Sequence, residues 1–313
     1  MAEQAETAGQ APGRAFKLGW LASMDDMPTE GTTPRFSDMR TMAQAAEEAG
    51  LDSFWVSDHF IARMPNEVEV GQWESFTFLS ALAAVTSRIQ LGPMVAATSF
   101  RNPALTAKMA ESLDEISNGR FILGLGAGWH EPEYTAFGYP FDHLASRFEE
   151  SLQIIVPLLR EGKVDFVGEY SSARNVVLRP RGPSRNGPPI LIGARRPRML
   201  RLVARYADAW NTAWHTKAEV VAERWAAMRQ MCEEEGRDPA TLELTAGVML
   251  RLGPNGEPVQ GETYHVTGTN EEIAARLRDM IAVGVQHLIL VIEPEGMAGF
   301  ERFQPILDLL NQA

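Results

Sequence analysis

The chain has one cysteine, Cys232, among 313 residues, so no disulfide can form within it. No apolar run approaches the ~18 residues that a membrane-spanning helix needs. Basic charge is scarce: 29 Lys and Arg stand against 41 Asp and Glu, a net charge of −12 and a pI near 5.1. That balance argues against nucleic acid or an anionic membrane as a partner. H-x-H and H-E-x-x-H spacings are missing, so no metal is expected, even though Asp58, His59, His130, Glu131 and Glu293 could converge. A G-x-S-x-G serine nucleophile and a Walker loop are also missing.

What remains is an ordinary globular composition, 45% hydrophobic and 22% charged. Residues 1–14 read as a disordered tail, Ala/Gln/Glu/Gly-rich and without the apolar core of a secretory signal. With no span and no signal, a cytoplasmic location is expected. Residues 15–313 read as one domain. Apolar strand signals at 16–22, 53–57, 89–96, 121–126, 189–193, 209–213, 242–251 and 286–292 alternate with amphipathic segments at 36–49, 76–86, 104–116, 146–160, 197–206, 218–235, 271–283 and 300–310. Thr269 with Glu271 and Glu272 marks a helix start, and Gly50, Gly119, Gly162 and Gly284 mark helix ends. Eight such pairs predict a parallel (β/α)8 TIM-type barrel. Residues 163–180 break the alternation and read as a β-hairpin inserted before the fifth strand; 181–189 is a Pro/Gly loop.

Barrel enzymes place their chemistry on the rim formed by the strand C-termini. Four strands end there in polar or Gly-rich residues: Ser57-Asp58-His59-Phe60, 93–102, 124–131 and 193–196. His59 could act as acid or base near neutral pH, with Asp58 orienting it, or be a rim histidine bonded to backbone. His130 is a second candidate. Glu131 and Glu133 beside it either carry a proton or face solvent. Gly124, Gly126 and Gly128 allow main chain to approach a flat ring, or simply allow tight packing. Nine arginines and no acid fall within 170–205. Gly193-Ala194 followed by Arg195-Arg196 and Pro197 suits a phosphate at a helix N-terminus; the alternative is a solvated basic face. Trp20, Met24, Phe60, Met64, Trp73, Trp129, Trp214 and Met249 fall near strand ends, as pocket walls or plain core.

In order and spacing, the segments W-V-S-D-H-F (55–60), F-R-N-P-A-L-T-A-K (100–108), S-N-G-R-F-I-L-G-L-G-A-G-W-H-E-P-E-Y (117–134), F-G-Y-P-F (137–141), P-I-L-I-G-A (189–194), A-R-Y-A-D-A-W-N (204–211) and G-T-N-E-E-I (268–273) resemble the luciferase-like monooxygenase superfamily, in particular its F420-dependent branch. The resemblance covers 16–310. It implies a β/α barrel with insertions, often a dimer, with a deazaflavin (coenzyme F420, favoured) or FMN over the barrel mouth. It places His59 near the reactive ring edge with Asp58 beside it, and a bulge with a non-proline cis peptide at Met94-Val95 under the ring. Thr98, Ser99 and Asn102 would bond the ring or ribityl chain, Gly126, Gly128 and Trp129 would approach the ring, and Gly193, Ala194 and Arg195 would hold the phosphate. The chain departs from the family where Trp129 replaces a carboxylate found in some deazaflavin dehydrogenases, and where Arg195-Arg196 replace glycines. The proton donor is then His59, His130 or Glu131.

The expected activity is hydride transfer between F420 and a small organic substrate, shaped by 60–73 and the segment after Trp129. One alternative is an FMN-dependent monooxygenase fed by a separate flavin reductase. The other is a flavin-binding protein without turnover.

Overall fold

The computed structural model describes residues 14–26, 33–63 and 69–312. Short apolar strands with both faces covered form its centre, as a parallel sheet wrapped by helices requires. Eight strands pair in chain order: β1 (Lys17–Ala22), β2 (Ser53–Val56), β3 (in two segments, Gln90–Pro93 and Ala96–Ala97), β4 (Leu123–Gly126), β5 (Ile190–Gly193), β6 (Ala209–Ala213), β7 (Glu243–Arg251) and β8 (His287–Glu293). Every pair is parallel, and β8 returns to β1 with Leu18 opposite Leu288. A Leu91–Phe121 bridge and the Ala96–Leu125 pairing join β3 to β4, so the ring closes. A short strand, His265–Val266, adds to β7.

The period of two decides what fills the barrel. Phe54 and Val56 turn outward into the layer shared with the helices, while Trp55 turns inward with Ile122, Leu191, Ala209 and Ile289. Glycine makes room for that indole: a Cβ on Gly92 would lie 2.6 Å from the Trp55 ring, and one on Gly19 would lie 2.2 Å from Ser53 Oγ. Below it, the indole N–H donates to Ser53 Oγ at 2.7 Å, and Ser53 meets His287 Nε2 at 2.7 Å.

The helices are α1 (Phe36–Glu48), α2 (Ser75–Val85), α3 (Pro103–Ser117), α4 (Glu131–Phe137), α5 (Leu144–Glu161), α6 (Pro197–Tyr206), α7 (Ala218–Glu234), α8 (Asn270–Ala282) and α9 (Met297–Asn311). At α8 the Thr269 hydroxyl accepts from the Glu272 amide while the Glu272 carboxylate accepts from the Thr269 amide. Gly162 ends α5 at φ +75°. Residues Lys163–Val167 and Ser172–Val177 form an antiparallel ribbon before β5. The Glu150 carboxylate accepts from the amides of Glu169, Tyr170 and Ser171 in its turn, each at 2.8 Å.

Two elements differ from the sequence expectation. α4 spans seven residues, too few for a helical period to show. The antiparallel pair Ile61–Arg63 and Glu69–Gly71 has three residues per strand. Residues 1–13 of the expected tail lie outside the described residues. Arg14, placed in that tail, is instead buried, and its guanidinium bonds Asp52 at 2.7 Å. Among the described residues, no helix is long and apolar enough to cross a membrane.

Candidate active site

The C-terminal ends of β2 to β6 surround a cavity of about 630 Å3, within the size range of small-molecule sites. Leu21, Met94, Val95, Ala97 and Ala213 give it apolar walls. The Met94-Val95 peptide is cis and lies between the two segments of β3. His59 and Trp129 line it with their rings 5.6 Å apart, and Gly193, Ala194, Arg195 and Arg196 line it as well.

His59 is set by a residue 74 positions away. Its Nδ1 lies 3.0 Å from Glu133 Oε1, and Glu133 Oε2 accepts from the amides of Phe60 at 2.5 Å and Ile61 at 3.3 Å. A carboxylate only accepts, so Nδ1 carries the hydrogen and Nε2 is left for chemistry. The Glu133 side chain is 1% exposed. Burial works to lower the His59 pKa, but the hydrogen bond and charge of Glu133, helped by Asp58 and Asp25, outweigh it and leave the value raised.

Asp58 does not orient His59. Its carboxylate is buried, accepting from both Arg101 terminal nitrogens (2.7 and 2.8 Å), Ser75 Oγ (2.6 Å) and the Ala97 amide (3.0 Å). It ties the end of β2 to α2, to β3 and to the loop before α3. The sequence shows the neighbour in the chain; the hydrogen bonds select the neighbour in space.

The other expected residues divide between the cavity and its surroundings. Gly126, Gly128 and Trp129 line the cavity. Trp129 is 71% exposed, with its ring 5.6 Å from that of His59, edge to face. The space beside the glycines is filled by protein, however. A Cβ on Gly126 would sit 2.6 Å from Val95 Cγ2, and one on Gly128 1.6 Å from the Tyr134 hydroxyl. His130 is buried outside the lining, its ring 6.3 Å from that of His59. Glu131 is exposed in the first turn of α4, away from the lining. Thr98 donates to the Gly126 carbonyl at 3.3 Å, and Asn102 caps α3 by accepting from the amides of Ala104 and Leu105. Both face a separate cleft of about 420 Å3 beside Tyr139 and Tyr170. Ser99 lines that cleft too.

Of the aromatic and methionine candidates, only Trp129 and Trp214 line the cavity. Trp20 and Met24 are core, with Trp20 stacked 4.7 Å from Phe300. Phe60 packs with Phe100, Phe137 and Tyr139. Trp73 stacks on Phe78, Met249 is half-buried in β7 outside the lining, and Met64 lies outside the described residues. Glu293 holds Arg251 and His265. Among the described residues, no three His, Cys, Asp or Glu side chains gather as a metal site.

The cavity suits a flat, phosphorylated redox ring. Its walls are largely apolar, and Arg195 and Arg196 bring positive charge to its lining. No side chain caps α6 there, and neither Arg195 nor Arg196 has an ion-pair partner among the described residues. An uncapped helix start with free guanidiniums favours an anion.

The luciferase-like monooxygenase family profile matches residues 16–266. The phthiodiolone/phenolphthiodiolone dimycocerosates ketoreductase of Mycobacterium tuberculosis is 30% identical over 263 residues, covering 78% of this chain and 68% of the relative. The F420-dependent glucose-6-phosphate dehydrogenase of Kineococcus radiotolerans is 31% identical over 255 residues, covering 79% and 71%. An F420-dependent secondary alcohol dehydrogenase solved with an F420–acetone adduct superposes with a TM-score of 0.79 at 18% identity, over 95% of this chain and 99% of that one. At that identity the likeness shows the fold.

Proposed function

The chain belongs to the luciferase-like monooxygenase family, and on that premise we propose that it is an F420-dependent oxidoreductase acting on a small organic carbonyl compound or the matching alcohol. The carrying observation is the cavity itself, whose lining includes both an imidazole held by a buried carboxylate and an uncapped, cationic helix start. The relatives named for ketone reduction and for F420-dependent dehydrogenation support the same chemistry. When bound, F420 supplies hydride donation or acceptance at ring carbon C5. Met94, Val95 and the Gly126–Gly128 main chain would support the ring, and Gly193, Ala194 and Arg195 would hold its phosphate. Asn102 and Thr98 have no part in this reading.

His59 carries the proton. With Nδ1–H committed to Glu133, Nε2 gives a proton to a substrate oxygen during reduction and takes one from a hydroxyl during oxidation. Trp129 and Trp214 would shield that exchange from water. A homodimer in the cytoplasm belongs to the same proposal.

His59→Ala should lower turnover roughly 10²–10⁴-fold while cofactor affinity barely changes. Wild-type turnover in that variant, or binding of FMN but not F420, would refute the reading. A second reading, an FMN-dependent monooxygenase supplied by a separate reductase, draws on the apolar walls and on Trp129, whose indole lines the cavity 5.6 Å from the His59 ring. Oxygen consumption coupled to product formation with reduced FMN would select it.

A further inference from the structure

The backbone at Trp214 is in the left-handed region, with φ +61°, where a bulky side chain is an outlier. The other described residues with a side chain and a positive φ are Asn118, His143, Asn175 and Asn255, of the two types that tolerate it. Burial does not account for the exception, because the indole is 44% exposed. The surroundings nevertheless fix it. The Trp214 amide donates to the Gly247 carbonyl at 2.9 Å. A Cβ on Gly247 would meet indole Cζ3 at 3.4 Å, so the ring rests beside that glycine of β7. Around the turn, Thr212 Oγ1 lies 2.8 Å from His215 Nε2, and both residues are buried. A side chain on a disfavoured backbone, held in place yet half exposed on a cavity wall, marks a contact reserved for a ligand.

The strand order says which ligand. Met94 and Val95, assigned above to support the cofactor ring, lie between the two segments of β3, whereas the indole leans from the end of β6 onto β7. In a closed ring of eight, β7 is four strands from β3 in either direction. Trp214 therefore lies across the cavity from the cofactor supports, and the space between belongs to the substrate. The face or edge of an indole favours a flat π-system, offset or edge-on. We propose that Trp214 determines specificity by stacking on a flat, unsaturated group of the substrate, so that the ketone or secondary alcohol turned over is an aryl or similarly planar one. The inference rests on the F420 reading above and names the substrate class within it.

The test compares kcat/KM of the whole protein, with F420 as acceptor, for secondary alcohols that differ in one substituent: propan-2-ol, 1-cyclohexylethanol and 1-phenylethanol. Each loses a hydride to the deazaflavin and its hydroxyl proton to His59, giving the ketone. The wild type should favour phenyl over cyclohexyl, a group of similar size, roughly 2–10-fold, and propan-2-ol should be the poorest. W214N, whose asparagine accepts the left-handed backbone, should erase the preference for phenyl, and W214F should keep much of it. W214N should melt at the wild-type temperature and hold its F420 affinity in a fluorescence titration. Equal kcat/KM for phenyl and cyclohexyl in the wild type, or a preference that survives W214N, overturns the inference while leaving the F420 reading intact. A large fall in F420 affinity overturns it too, by assigning the indole to the cofactor, as does a lower melting temperature, by assigning it to the fold. If none of the alcohols reduces F420 and none of the matching ketones oxidises its reduced form, both readings fall.

Discussion

Replacing Glu133 with Gln tests the site at the contact that positions its imidazole. The substitution keeps the volume and one oxygen, which can still accept from the Phe60 and Ile61 amides. It puts an NH2 where Oε1 accepted from His59 Nδ1 at 3.0 Å. Two donors then face each other, so the ring must present a lone pair at Nδ1 and move its hydrogen to Nε2. The negative charge that raised the His59 pKa disappears, whereas the burial that lowers it remains. The titration midpoint of His59 should therefore pass from above the ordinary histidine value to below it. Hydrogen bonds to charged groups contribute about 1.5–3 kcal/mol, and the imidazole is only 24% exposed, so most of that should appear as lost stability. The loss depends on pH. Because folding raises this pKa, the stabilisation is complete below the unfolded value near 6.5 and fades as pH climbs through the folded value. Urea unfolding at pH 6 and pH 9 should show the larger gap between wild type and variant at pH 6. Ring NMR through a pH titration should show the acidward move directly. An unchanged midpoint, or an equal gap at both pH values, would refute the assigned hydrogen bond.

Three further outcomes follow from the same contacts. Asp58→Ala removes the bidentate partner of the buried Arg101 guanidinium, which keeps Glu74 at 2.6 Å, and should cost about 1.5–3 kcal/mol in denaturant unfolding; a loss of turnover at full stability would contradict the structural role given to it. Gly128→Ala places a Cβ 1.6 Å from the Tyr134 hydroxyl at φ +81°. It should cost at least about 1–3 kcal/mol and displace α4, with wild-type melting behaviour as the contrary result. Asn102→Ala should lower stability by about 1 kcal/mol through the lost α3 cap while F420 affinity holds; a large drop in affinity would return Asn102 to the cofactor.

The barrel was legible because each of its strands is an apolar run of four to nine residues bounded by polar or Gly-rich chain, and because the number of pairs matches a closed ring. The rim could be read for the same reason: direction along a parallel sheet places every strand end on one side. Side-chain pairing could not be read. Asp58 precedes His59 in the chain, yet Arg101 and the Ala97 amide take its oxygens, while Glu133 arrives from a helix too short to show a period. Spacing marked the glycines but not their neighbours, Val95 and Tyr134. Asn102 has the residue type of a ligand contact, but the Pro103 after it marks a helix start, a signal that could have assigned it as a cap. The arginine excess at 170–205 was visible, but which guanidiniums lack an acid depends on Glu149 and Glu235, residues outside that window.

The most direct measurement is a crystal structure of the protein with F420. The ring should lie in the 630 Å3 cavity against Val95, with its C5 edge toward His59 Nε2 and its phosphate at Gly193–Arg196. A ring seated in the cleft lined by Thr98 and Tyr170, or turned with its phosphate toward His59, would contradict the account.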